Sequence, residues 1–150
     1  MKILLAYDGS PSADAAVDEV IRRPWPERTL VKLVTVIEQP MAVASAAGAE
    51  VYAPLVERMH ASLREDAYRR IQQALEKFKT RSDLEVSYEL RDGSVKHALL
   101  AATREWGADL VVAGSHGMTG LARLVLGSVC HTLVTHAPCN VEIVKTPSAA

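Results

Sequence analysis

The chain has 150 residues, 49% hydrophobic and 5% aromatic, and its 17 Lys and Arg against 18 Asp and Glu leave a formal charge of −1. That length fits one domain, able to bury about 70% of its unfolded surface without a disulfide or a metal. Near-neutral charge excludes the electrostatic footprint of a nucleic-acid binder, and the few aromatics exclude a base-stacking platform.

Met1 to Tyr7 is an apolar run cut short by Asp8, too short for a signal segment, and it reads as a first buried strand, Lys2 to Tyr7. Asp8-Gly9-Ser10-Pro11-Ser12 then turns the chain into a helix, with Ser10 as N-cap and Pro11 at the first helical position. Ala13, Ala16, Val17, Val20 and Ile21 share one face of that helix, which must stop before Pro24-Trp25-Pro26. Leu30 to Ile37 is β-branched and nearly continuous, as expected of a strand buried on both faces. Glu38 to Pro54, rich in Ala and small residues, reads as a loop.

From Leu55 to Phe78 the apolar positions Leu55, Met59, Leu63, Ala67, Ile71, Leu75 and Phe78 recur in steps of three and four, which predicts a long amphipathic helix. Arg64, Glu65, Arg69, Arg70, Glu76 and Lys77 make its other face, expected in solvent. Leu84 to Leu90 is the third strand. Arg91-Asp92-Gly93-Ser94 turns into a third helix with Val95, Leu99, Ala102 and Trp106 inward. Asp109 to Ala113 is the fourth strand, Gly114 to Ser128 a glycine-containing segment, and a fourth helix runs to about Thr135. Asn140 to Lys145 is the fifth strand, and Thr146 to Ala150 a frayed tail. No run approaches the about 20 apolar residues of a membrane span. The strict βα alternation predicts a single α/β domain, 1–150, with a mostly parallel sheet and helices on both faces. Periodicity does not reveal the strand order.

Ligands of open parallel sheets bind at the carboxyl ends of the strands. Three such places stand out: Asp8, Val36 to Glu38, and the segment from Gly114 onward. Gly114 and Gly117 follow a buried strand, where glycine permits positive φ and close approach of a phosphate. Gly127-Ser128 reads as the start of a fresh helix capped by Ser128, with free N–H groups aimed at an anion. On the glycines alone, a tight strand-to-helix turn at Gly114 and Gly117, with Gly127 allowing close helix packing, is the better explanation. There is no G-x-x-x-x-G-K-[ST] and no G-x-G-x-x-G after the first strand, which excludes a Walker loop and disfavours a dinucleotide site.

Gly114-x2-Gly117-x9-Gly127-Ser128 resembles the G-2x-G-9x-G-[S/T] signature of ATP-binding universal stress proteins. The opening Ile3-Leu4-Leu5-Ala6-Tyr7-Asp8-Gly9-Ser10 and the ending Ala137-Pro138-Cys139-Asn140-Val141-Glu142-Ile143-Val144 resemble the same family, in the right order and over nearly the whole chain. The resemblance implies an open five-stranded parallel sheet, order 3-2-1-4-5, with the switch point between strands one and four. It implies adenine and ribose near Ala6, Tyr7, Asp8, Val36, Ala113 and Gly114, with the Val36 backbone reading the adenine edge. It places phosphates against Gly117, Gly127, Ser128 and Val129, with Ser115 and His116 inside the same loop and Mg²⁺ or Mn²⁺ bridging the phosphates. It also implies a homodimer paired through the fifth strand, Asn140 to Lys145, whose open edge needs a partner. The Glu38 to Pro54 loop matches no word of the family.

Several residues keep two readings. Asp8 can meet the ribose or a metal, or cap its own turn. His116 can donate to a phosphate or shape the loop, and Arg123 can reach the phosphates or solvent. His131 and His136 lack a third ligand. Cys130 reads as a small helix residue, and nothing positions a base beside Cys139. These two cysteines form no C-x-x-C pair, so a reducing, cytoplasmic setting is expected. Backbone donors without a positioned base favour affinity over rate, so at most weak ATP hydrolysis is expected. The expected function is a nucleotide-responsive stress-response dimer. The alternatives are a slow metal-dependent ATPase or phosphotransferase, and a dimeric scaffold that binds no nucleotide.

Overall fold

The computed structural model describes residues 1–38, 49–117 and 126–146. In chain order the elements are β1 (Lys2–Ala6), α1 (Pro11–Arg22), β2 (Leu30–Ile37), α2 (Ala49–Phe78), β3 (Glu85–Asp92), α3 (Val95–Trp106), β4 (Leu110–Gly114), α4 (Ser128–His136) and β5 (Asn140–Val144). The strands form one parallel sheet of order β3-β2-β1-β4-β5. Chain order reverses between β1 and β4, so the segments leaving these two strands diverge and open a crevice.

The central strands are apolar throughout because both faces are covered. In β1, Ile3 and Leu5 join the α1 and α2 side, while Leu4 joins the α3 and α4 side. In β4, Leu110 and Val112 alternate with Val111 and Ala113 in the same way. Lys32 interrupts β2, but its ammonium lies 4.9 Å from the Trp106 ring centroid and 3.4 Å from Glu89. Helix α1 starts as its sequence dictates: Ser10 caps it by accepting from the Ala13 N–H at 3.2 Å.

Helix α2 departs from the expectation. It begins at Ala49, so residues 49–54 are helical rather than loop, and Pro54 lies inside the helix. Proline there forfeits its own bond to the Glu50 carbonyl and crowds that carbonyl, a cost the rest of the 30-residue helix offsets. Residues 39–48 of the expected loop lie outside the described residues. The apolar stripe is also not buried throughout. Ala67, Ile71, Ala74 and Phe78 are in the core, but Leu55, Met59 and Leu63 are 55%, 47% and 42% exposed. Length explains this. Thirty helical residues span about 45 Å, whereas the eight residues of β2 span about 26 Å. The last turns of α2 cover the sheet, and its first half overhangs the carboxyl ends of the strands. There His60 and Arg64 bond Asp92 at the end of β3, at 2.7 and 2.9 Å.

Smaller shifts follow from pairing. β3 extends to Asp92 because Arg91 and Asp92 continue the ladder beside Val36 and Ile37. β4 takes in Gly114, which pairs with Val144. Helix α4 is N-capped by Gly127 rather than Ser128, which is its first helical residue. Residues 147–150 of the expected frayed tail lie outside the described residues.

Candidate functional site

A crevice of about 750 Å³ sits over the switch point. Its floor is the carboxyl ends of β1, β2 and β4. Ala6, Tyr7, Asp8, Val36, Ala113, Gly114, His116, Gly117, Gly127, Ser128 and Val129 all line it. Ser115 does not. It is buried, donates its N–H to the Val144 carbonyl at 2.8 Å, and accepts from the Gly127 N–H at 3.2 Å. Ser115 therefore latches the start of α4 to the end of β5. Residues 118–125, with Arg123, lie outside the described residues.

The glycines act differently from one another. Among the described residues, glycines with positive φ are Gly9, Gly93 and Gly107, so Gly114 and Gly117 are not needed for left-handed backbone. Gly114 is needed for space: a Cβ there would lie 2.4 Å from the Ser12 carbonyl carbon and 2.7 Å from the Ala13 nitrogen. The end of β4 touches the first turn of α1. Ser10 and Ser12 bind the loop across that contact. The Ser10 hydroxyl donates to the His116 carbonyl at 3.3 Å, the Ser12 hydroxyl donates to it as well, and the His116 N–H returns a bond to Ser12 at 3.3 Å. Gly127 faces the Ser115 carbonyl, 3.1 Å from where a Cβ would stand.

Asp8 caps its own turn, and it also lines the crevice. Its Oδ1 accepts from the Ser10 N–H at 2.9 Å and closes the turn that Gly9 makes at φ 77. Its Oδ2 faces Gly117, 3.1 Å from a Cβ built there. The His116 ring engages the Ser115 hydroxyl at 2.9 Å, which shapes the loop. Burial, aided by the Asp14 carboxylate that accepts from its hydroxyl, pushes the Tyr7 phenol well above its ordinary range. The Cys130 thiol donates to the Gly114 carbonyl at 3.0 Å, and burial pushes its pKa up.

Two sets of backbone groups face the crevice. The first is the start of α4. It has no side-chain cap and no acidic residue in its first turn, so the N–H groups of Ser128, Val129 and Cys130 lack helical partners. The second is at Val36. Val34 accepts from the Tyr7 N–H at 2.9 Å, whereas Ile37 accepts from the Gly93 N–H at 3.0 Å on the opposite side. By the alternation of a parallel ladder, the N–H and C=O of Val36 point toward β1. The last β1 pair is Ala6 with Val34, so these groups open onto the crevice beyond it.

Some lining residues escaped the sequence reading. Thr35, whose hydroxyl donates to the Tyr7 carbonyl at 2.7 Å, also faces the crevice, as do Asp66 and Cys130. Ser94 and Lys96, at the start of α3, line it too. They follow a strand end, the signal that singled out the other segments. Arg70 was expected in solvent. Instead it lines the crevice and donates from Nη1 to the Asp8 carbonyl at 3.2 Å. Its place between the buried Ala67 and Ile71, at the border of the apolar stripe, was the available clue. Among the described residues, no group of three or more His, Cys, Asp or Glu could hold a metal ion.

The chain belongs to the universal stress protein family, whose model matches residues 1–145. It is 26% identical to the universal stress protein YxiE of Bacillus subtilis, over 96% of this chain and 98% of that one. The universal stress protein UspA from Lactobacillus plantarum superposes with a TM-score of 0.81 at 24% identity, covering 96% and 97% of the two chains. A universal stress protein from Arabidopsis thaliana, solved with AMP bound, superposes with a TM-score of 0.67 at 15% identity, covering 99% and 93%. At these identities the solved structures speak for the fold. Among the described residues, no helix is long and apolar enough to cross a membrane.

Proposed function

We propose that the crevice binds an adenine nucleotide, ATP in the first instance, and that the protein is a nucleotide-responsive stress-response dimer. The observation that carries this is the separation of two complementary backbone sets across one crevice. At Val36, an N–H and a C=O side by side match the acceptor N1 and donor N6 of adenine. At Ser128 to Cys130, helical N–H groups suit phosphate oxygens. Asp8 and Gly117 stand between them, where a ribose would lie. The AMP bound by the Arabidopsis relative supports the same ligand class. Mg²⁺ or Mn²⁺ would enter with the phosphates, on oxygen ligands.

Backbone donors bind ground state and transition state alike, so hydrolysis is slow or negligible on this reading. The site residues on this reading are those the family resemblance implies: Ala6, Tyr7, Asp8, Val36, Ala113, Gly114, His116, Gly117, Gly127, Ser128 and Val129, with Ser115 holding the loop. The homodimer would form through β5, a sheet edge with half-buried Val141, Ile143 and Val144. The setting is the cytoplasm. The test is to purify the protein without added nucleotide, denature it, and identify released small molecules by mass spectrometry. Adenine nucleotide near one per chain, lost in Gly127→Ala, is expected. An empty protein with no calorimetric binding of ATP in Mg²⁺ or Mn²⁺ would refute the reading and favour a scaffold.

A further inference from the structure

The crevice is lined by three carboxylates, Asp8, Glu38 and Asp66, which oppose the entry of a polyphosphate. Arg70 and Lys96 also line it, and neither makes an ion pair among the described residues. Asp66, by contrast, is paired with Arg69 at 3.2 Å. Arg70 is the better placed of the two cations. Its Nη1 is tied to the Asp8 carbonyl at 3.2 Å. Its stem lies over Gly9, so that a Cβ built there would meet Arg70 Cδ at 2.5 Å. Asp8 in turn faces Gly117. The guanidinium is thus held beside the turn that borders the glycine loop, with donors to spare after a single hydrogen bond.

We propose that Arg70 is a specificity-determining residue that distinguishes phosphorylated from unphosphorylated adenosine. A guanidinium presents its donors in a planar fork suited to phosphate oxygens, and it stays charged at any physiological pH. Held by the Asp8 carbonyl, it offsets the lining carboxylates only for a ligand that carries negative charge. A neutral nucleoside gains no charge–charge attraction from it. The inference rests on the nucleotide reading above and adds the residue that selects charge.

The test is calorimetric titration of ATP, AMP and adenosine into the full chain and into Arg70→Met, which keeps a long apolar stem over Gly9 but removes the charge. Circular dichroism and the melting temperature would establish that the variant is folded. The expected result is ATP binding weakened at least tenfold, AMP less, and adenosine changed less than twofold. Equal weakening of all three would overturn the inference, because it would make Arg70 a strap on the Asp8 turn and nothing more. Unchanged ATP affinity would overturn it as well while leaving the nucleotide reading intact. A wild-type chain that binds none of the three refutes the nucleotide reading, and the inference falls with it.

Discussion

Replacing Gly114 by Ala tests whether the contact between β4 and α1 sets the shape of the site. The added Cβ would stand 2.4 Å from the Ser12 carbonyl carbon, 2.5 Å from its oxygen and 2.7 Å from the Ala13 nitrogen. Ordinary contact would require about 1 Å more. All three atoms are backbone in the first turn of α1, so no side chain can rotate away. The helix must shift, and the hydrogen bonds between Ser10, Ser12 and the His116 peptide lengthen with it. Overpacking of this kind costs roughly 1–3 kcal/mol, and each loosened hydrogen bond about 1 kcal/mol more. With the three bonds together, a total of roughly 4–6 kcal/mol lowers the melting temperature of a 150-residue domain by about 8–24 °C. Thermal melts and urea unfolding would measure it. Gly117→Ala is the contrast, since among the described residues its Cβ meets only one side-chain atom, Asp8 Oδ2, at 3.1 Å. That variant should melt within about 2 °C of wild type yet bind nucleotide more weakly. A Gly114→Ala protein as stable as Gly117→Ala would refute the steric argument.

Cys130 is buried and its thiol, raised by burial, donates to the Gly114 carbonyl, so iodoacetamide at pH 8 should leave it unmodified in the folded protein and alkylate it in urea. Alkylation of native Cys130 at the rate of a free thiol would contradict that placement. Acid titration offers a separate check. The Arg81 guanidinium holds Asp83 below its ordinary range, and Arg91 does the same for Glu105. The unfolded chain therefore takes up these protons first on acidification. The stability they lend is present above about pH 4 and is lost as pH falls through the lower folded values. A D83N/E105Q double variant should show a shallower decline in urea midpoint between about pH 5 and 3 than wild type. Parallel curves would show that these pairs contribute nothing.

Much of this architecture is local, and local features were legible in the amino-acid sequence. β2 runs from Leu30 to Ile37 as its β-branched run predicts. Ser10 caps α1, Pro11 opens it, and Pro24 bars its continuation, because capping and proline act within a few residues. The third helix likewise begins at Val95 and ends at Trp106, where Gly107 adopts φ 66. The glycine spacing was equally visible, although its meaning came from family likeness rather than from periodicity. Strand order also came from that likeness, because hydrophobic pattern reports which faces are buried and not which strands are neighbours.

The tertiary structure alone decided the rest, since each remaining feature depends on how separate elements meet. Arg70 looked like one more charge on a solvated face until the packing of α2 on the sheet brought it to the carboxyl end of β1, where it bonds the Asp8 carbonyl. Leu55, Met59 and Leu63 follow the same period as Ile71, yet they lie beyond the sheet that would have buried them. Gly114 seemed to need an unusual φ, but what it needs is room for α1, a segment a hundred residues away in the chain. The open N–H and C=O of Val36 arise only because β1 ends at Ala6 while β2 continues. A sequence carries the propensity of each segment, whereas the distances between segments, which make the site, come from packing the layers together.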